Sequence, residues 1–230
     1  MKTSKNRKKI FENIELTKVF EPIDAIKILK EKTFVKFDET IDVSINLGID
    51  ASKTDQNIRG VVNLPKGTGK KINVAVITNE DKQKEAKDNG ADLVGGKELI
   101  ETISSNKIDF DLLIASPDMM PSLGKIAKIL GPKGLMPNPK LGTVTNDISK
   151  AVKEAKTGQV KYKNDKAGIV HAGIGKISFS EDNILENLKT FYSSIVKSKP
   201  DTYKGGTFIK KVTIASTMGI GLQINQTSLR

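Results

Sequence analysis

Glycines followed by a lysine can cradle a phosphate, and Gly67-Thr68-Gly69-Lys70 has that composition. A phosphate loop, however, needs Gly-x-x-x-x-Gly-Lys-Ser/Thr between a strand and the helix it opens. Here Lys71 follows Lys70 and the run leads into an apolar, strand-like segment, so a linker is the better account. His171 is the only histidine and there is no cysteine, which removes thiolate chemistry, multi-His metal sites and a second relay candidate. No Gly-x-Ser-x-Gly elbow occurs. Asp109, Asp111 and Asp118 surround one strand and have the oxygen chemistry for Mg²⁺, but carboxylates at strand ends more often cap turns. These residues predict no enzyme, no metal and no cofactor.

Other stretches suit binding better than catalysis. Leu130 to Lys140 packs three prolines, two glycines and two lysines into eleven residues, which specifies a stiff extended loop. It reads equally as a crossover inside a domain or as a docking surface. Lys36 and Phe37 put a cation beside an aromatic ring just before a strand, a pairing that contacts phosphate and stacks on bases. Phe37 equally suits a core. In Ser216-Thr217-Met218-Gly219, hydroxyls able to bond a ribose 2′-OH stand next to a glycine that admits close backbone approach. His171 is either a packed strand residue or a hydrogen-bond donor to phosphate.

Elements that position these residues follow from periodicity. A helix begins at Glu21, with Pro22 in its first turn and Ile23, Ile26 and Leu29 on one face. Thr40 to Leu47 alternates, with Ile41, Val43, Ile45 and Leu47 on one side, as in a strand with one wet face. Val61 to Leu64 is a shorter apolar piece. Beyond it, Ile72–Ile77 and Asp111–Ala115 read as strands buried on both faces. They alternate with helices at Glu85–Asn89, at Lys97–Ile103, before Gly131 and around Ile148–Ala155. Alternation then returns: Val160–Lys163 and Ile169–Ala172 flank Asn164 to Gly168 as a hairpin. Ser180 caps a helix carrying Ile184, Leu188, Phe191 and Ile195, and Phe208–Thr217 forms a last long strand.

The two ends therefore share one style and the middle has another. The reading is α/β and α+β in two domains. A discontinuous two-layer α+β domain comes from residues 1–67 and 159–230, with a three-layer, Rossmann-like α/β domain of residues 68–158 inserted. The chain crosses between them twice, and Pro65, Gly67, Gly69 and Gly158 at those crossings make a hinge.

Charge divides in the same way. The 230 residues hold 38 Lys+Arg against 27 Asp+Glu, a net of +11. Residues 1–69 hold 13 against 10 and residues 160–230 hold 11 against 5, so the ends supply +9. An excess of this size favours a polyanion, either nucleic acid or an acidic membrane. No apolar run approaches the ~20 residues of a membrane span, and the helices keep ordinary mixed faces. The basic stretch Lys2, Lys5, Arg7, Lys8 and Lys9 reads as a solvated tail or a phosphate-contacting arm. An α/β protein acting on nucleotides remains the competing class.

Several stretches taken in order resemble the L-one family of large-subunit ribosomal proteins. They are Phe37-Asp38-Glu39-Thr40, Asp55 to Gly60, Leu64-Pro65, Gly90-Ala91-Asp92, Leu130 to Lys140, Asn164-Asp165-Lys166 and Ser216 to Gly219. The resemblance runs from about Lys18 to Asn225. It implies a cytoplasmic ribosomal protein, monomeric when free, with no membrane partner. It also implies binding to large-subunit rRNA at the mobile stalk beside other ribosomal components, contact with exit-site tRNA, and repression of translation through the protein's own mRNA leader. The RNA-contacting positions it implies are Lys36, Phe37, Thr40, Lys166, His171, Thr217, Met218 and Gly219. The pattern departs at Ala167, where a threonine is common, and at Lys211, where a small polar residue is usual.

Overall fold

The computed structural model describes residues 18–105, 108–203 and 205–229. Before the first crossing lie β1 (Val19–Phe20), α1 (Pro22–Glu31), β2 (Thr40–Leu47) and β3 (Arg59–Asn63). The middle of the chain holds β4 (Val74–Ile77), α2 (Glu80–Asp88), β5 (Leu93–Gly95), α3 (Lys97–Ser104) and β6 (Leu112–Ala115). Two single turns, α4 (Met120–Leu123) and α5 (Ala127–Leu130), and the helix α6 (Ile148–Lys156) complete it. After it come β7 (Gln159–Lys163), β8 (Ile169–Lys176), α7 (Glu181–Lys197), β9 (Ile209–Ser216) and β10 (Gly221–Ile224). Packing divides the chain into two compact units, Met1–Gly69 with Val160–Arg230, and Lys70–Gln159. Among the described residues no helix is long and apolar enough to cross a membrane.

The first unit is built on a five-stranded sheet in the order β1-β10-β9-β2-β8. Its centre is β2, antiparallel to both β8 and β9. The alternation of β2 sets which face is dry: Ile41, Val43, Ile45 and Leu47 are buried with Val170, Ile174, Val212 and Ile214. Against that face pack Ala25, Ile26 and Leu29 of α1 and Ile184, Leu188, Phe191 and Ile195 of α7. Each such fully buried aliphatic side chain contributes about 1.5–3 kcal/mol. The other face carries Asp42, Ser44 and Asn46, and among the described residues no helix of this unit covers it. Ser180 caps α7 by accepting the Asn183 N–H, and Glu181 and Asp182 complement the positive end of the helix.

The second unit has a parallel sheet in the order β5-β4-β6, with Val74 to Ile77 facing Leu112 to Ala115 in register. Ala75, Ile77, Leu113 and Ala115 pack against Ile100, Ile103, Leu123 and Leu130. On the opposite face, Val74, Val76, Leu112 and Ile114 pack against Ala86, Ile148, Val152 and Ala155. Both faces are dry, as a parallel sheet with crossover helices requires.

Several expectations change in detail. Ile23 is 41% exposed, because Ala25 takes the core position beside Ile26. The helix expected from Glu85 begins at Glu80, since its first turn is polar and shows no periodicity. Three short strands, β1, β5 and β10, add to those expected from periodicity. β7 and β8 do not form a simple hairpin. β7 pairs with β3 in a separate two-stranded sheet while β8 joins β2, leaving only an isolated bridge between Asn164 and Val170. The basic residues Lys2 to Lys9 lie outside the described residues.

Candidate nucleic-acid interface

Where β2 begins and β9 ends, the two strands tie to each other beyond the sheet ladder. Thr217 donates its N–H to the Thr40 carbonyl at 3.1 Å, and its hydroxyl accepts the Thr40 N–H at 3.0 Å. The Thr217 hydroxyl also lies 3.3 Å from the same carbonyl, so one threonine satisfies both backbone groups of Thr40. Next to it the Met218 N–H reaches a carboxyl oxygen of Glu39 at 3.0 Å, and the Gly219 N–H closes the turn onto Ser216 O at 3.1 Å. A Cβ on Gly219 would stand 2.2 Å from the Ser216 hydroxyl, so any side chain there requires that hydroxyl to turn away.

These backbone ties leave the side chains pointing to solvent. Phe37 and Met218 are each 54% exposed, a large apolar surface for a rim of polar residues. Lys36 is exposed in the connection between α1 and β2. Lys176 donates to the Thr40 hydroxyl at 2.8 Å and lies 3.3 Å from Asp38 O, bringing a cation to the same end. Asp38 accepts from the Ser178 N–H and hydroxyl, which holds the chain leaving β8 against the chain entering β2.

His171 and Lys166 do not join this cluster. His171 pairs with Ser44 in register, and its Nδ1 lies 3.0 Å from the Ser44 hydroxyl. It stands four residues along β2 from Thr40, about 13 Å away on the open face. Its Nε2 is 3.7 Å from Asp165. Lys166 lies at the far end of the same strand pair, in a turn whose Gly168 carbonyl accepts the Leu47 N–H. Asn164, buried, anchors that turn. Its side-chain oxygen accepts the Ile58 N–H at 2.7 Å and its amide donates to Asn57 and to Asp165 O. Asp165 accepts the Ile169 and Ala167 N–H groups, and those bonds, the Ile169 one first, hold its carboxyl below the usual range. The candidate residues therefore mark a track along the open face, about 20 Å from Thr40 to the Lys166 turn. Lys211, paired with Asn46 on β9, borders it.

The open face also holds Asp42. Its partial burial pushes its carboxyl above the usual range, against the opposing pull of Lys176 and His171. Glu39 and Lys176 belong to the rim although neither was singled out in the sequence. The available signal was a carboxylate directly before an alternating strand, a position where exposure is the ordinary expectation.

At the first crossing, Lys66 and Gly67 are bound to α7. The buried Asn187 accepts the Lys66 N–H at 3.1 Å and donates to Gly67 O at 2.9 Å and to Ile174 O at 2.8 Å. Lys66 also lies 3.4 Å from Glu186. Gly69 and Gly158 have φ of 71° and 111°, a region that disfavours any side chain. Lys70 bonds Asp111 at 3.0 Å, so the lysine of this run engages a carboxylate and the second Asp111 oxygen accepts the Asn73 N–H. Leu130 to Lys140 passes through the second unit, with Leu130 buried, Leu135 and Met136 packed on the core and Pro132, Lys133 and Gly134 exposed.

The model of the Ribosomal protein L1p/L10e family fits residues 29–220, most of the chain.

Proposed function

Because the chain belongs to the ribosomal protein L1p/L10e family, we propose that the rim and open face of its five-stranded sheet form its rRNA site, at the mobile stalk of the large subunit. The family is one of structural, rRNA-binding proteins of the cytoplasmic ribosome, and the chain is not an enzyme. Thr217 carries the proposal. Its bonds to both backbone groups of Thr40 stiffen a strand end from which Phe37 and Met218 project into solvent. Pre-formed exposed apolar groups beside hydroxyls and lysines suit unstacked bases and ribose 2′-OH groups. Lys36, Lys166 and His171, spaced along the track, supply phosphate contacts, and Gly219 keeps the turn tight enough for close approach.

Two further RNA partners follow from the same reading. The protein's own mRNA leader would occupy the same rim by presenting the same RNA shape, and that occupancy would repress translation. Exit-site tRNA would meet a different surface of the first unit, where Arg59 and Lys163 are exposed on the two-stranded sheet. Residues 1–67 with 159–230 act as the RNA-binding domain and 68–158 as an inserted one. Motion between them uses Gly69 and Gly158, since Lys66 and Gly67, just after Pro65, are tied to α7.

Binding to an rRNA stalk fragment tests the assignment. Ala at Thr217, Met218 or Phe37 is expected to cost about 1–3 kcal/mol in specific binding. Gln at Lys36 or Lys166 is expected to reduce the salt slope by about one unit each while preserving preference. Equal losses on an unrelated RNA for the Thr217 change would remove it from recognition.

A further inference from the structure

Glu39 is 1% exposed, although both of its neighbours reach solvent. A carboxylate withdrawn from water costs several kcal/mol unless its oxygens are engaged. Among the described residues no lysine or arginine forms an ion pair with it, so hydrogen bonds alone satisfy it. One oxygen accepts the Met218 N–H at 3.0 Å and the other lies 3.3 Å from the Thr33 hydroxyl. Thr33 is itself anchored to α1 through the Leu29 carbonyl at 3.0 Å. The backbone carbonyl of Glu39 accepts the Ile177 N–H at 2.9 Å, at the exit of β8.

Resting on the reading of this rim as an rRNA site, we infer that Glu39 is its positioning residue. One buried carboxylate clamps the segment carrying Lys36 and Phe37 to the turn carrying Thr217 and Met218. It touches no RNA. It draws the Met218 N–H inward, which turns the side chain outward. It also closes the span from Thr33 to Glu39, within which both Lys36 and Phe37 lie. The function asked of Glu39 is acceptance of hydrogen bonds, not charge. A glutamine keeps an acceptor for Met218 N–H, and its NH₂ donates to the Thr33 oxygen while the Thr33 hydrogen turns to Leu29 O. Aspartate keeps the charge but is one methylene short.

The full chain and the rRNA stalk fragment provide the test. Glu39→Ala and Glu39→Asp are expected to lower affinity about tenfold or more, while Glu39→Gln stays within about threefold of the unsubstituted protein. The salt slope is expected to be unchanged in all three, since no phosphate contact is lost. In a Met218→Ala background, Glu39→Asp is expected to cost less than it does alone, because the two act through one side chain. A purely structural role would lower melting temperature without this coupling, and would leave affinity unchanged in variants still folded at the assay temperature. Glu39→Asp as tight as the unsubstituted protein, Glu39→Gln as weak as Glu39→Asp, or additive losses with Met218→Ala would each overturn the inference. If Glu39→Ala does not fold, the Met218 amide in the unsubstituted protein decides. Fast hydrogen exchange there would mean the clamp does not hold the turn. Failure of the unsubstituted protein to prefer the stalk fragment would instead overturn the rRNA-site reading itself.

Discussion

Along β2 every second side chain is buried, whereas along β4 and β6 all four are. The two sheets lie in the two units and obey different rules of composition. Among the described residues the five-stranded sheet has helices on one face only, and its other face carries Asp42, Ser44, Asn46 and His171. In the three-stranded sheet β4 and β6 are packed on both faces, and those two strands have no position left for a functional polar group. Just past the C-terminal ends of β4 and β6 stand Thr78 and Ser116, both buried, whose hydroxyls have no hydrogen-bond partner among the described residues. Only the half-open sheet presents recognition chemistry along its strands, and its cost is that each polar group there must be held by local hydrogen bonds.

The largest effect should come from placing one charge on each sheet. Val76→Asp puts a carboxylate where both faces are dry and is expected to destabilise the second unit by about 4 kcal/mol or more. Asn46→Asp on the open face is expected to change stability by no more than about 0.5 kcal/mol. Urea unfolding with hydrogen exchange read at the β4 and β2 amides separates the two. A tolerated Val76→Asp would break the comparison.

A smaller effect is expected at Asn187, the one fully buried amide of α7. Asn187→Leu leaves the Lys66 N–H and the Gly67 and Ile174 carbonyls without their partner, at a cost of about 2–3 kcal/mol. Exchange of the Lys66 amide should accelerate more than that of β2. Unchanged exchange there would mean that the first crossing is not held by α7.

The smallest effect sharpens the description of the open face. Asp42 has its carboxyl raised by partial burial, so its ionised form is less stable in the fold than in the unfolded chain. The sign is therefore a loss of stability as pH rises from the ordinary carboxylate value through the raised one. Asp42→Asn should raise the melting temperature at pH 7, by no more than about 2 °C, and leave it unchanged near pH 3. Asp165 has the opposite sign, its stabilisation being lost as pH falls below the carboxylate range. A stabilisation by Asp42→Asn that is equal at both pH values would exclude ionisation as its cause.

Long, regular elements were legible in the residues. The alternation of Thr40–Leu47, the cap at Ser180 and the apolar face of α7 all require only local pattern, because burial of one face dictates the period. Tertiary structure decided what local pattern does not encode. Ile23 and Ala25 both suit a helix, and only the packing of α1 chose Ala25 for the core. β7 and β8 each look like half of a hairpin, yet β7 took β3 as partner, since strand pairing depends on which edges meet and not on sequence distance. The candidate RNA-contacting residues were named individually, but their division into a rim at Thr40 and a distant turn at Lys166 follows from the antiparallel register of β2 with β8. Glu39 reads as an exposed acid in the sequence. Its burial arises because Met218, 179 positions away in the chain, brings an unpaired N–H to it, and a hydrogen bond of that range exists only after the sheet has assembled.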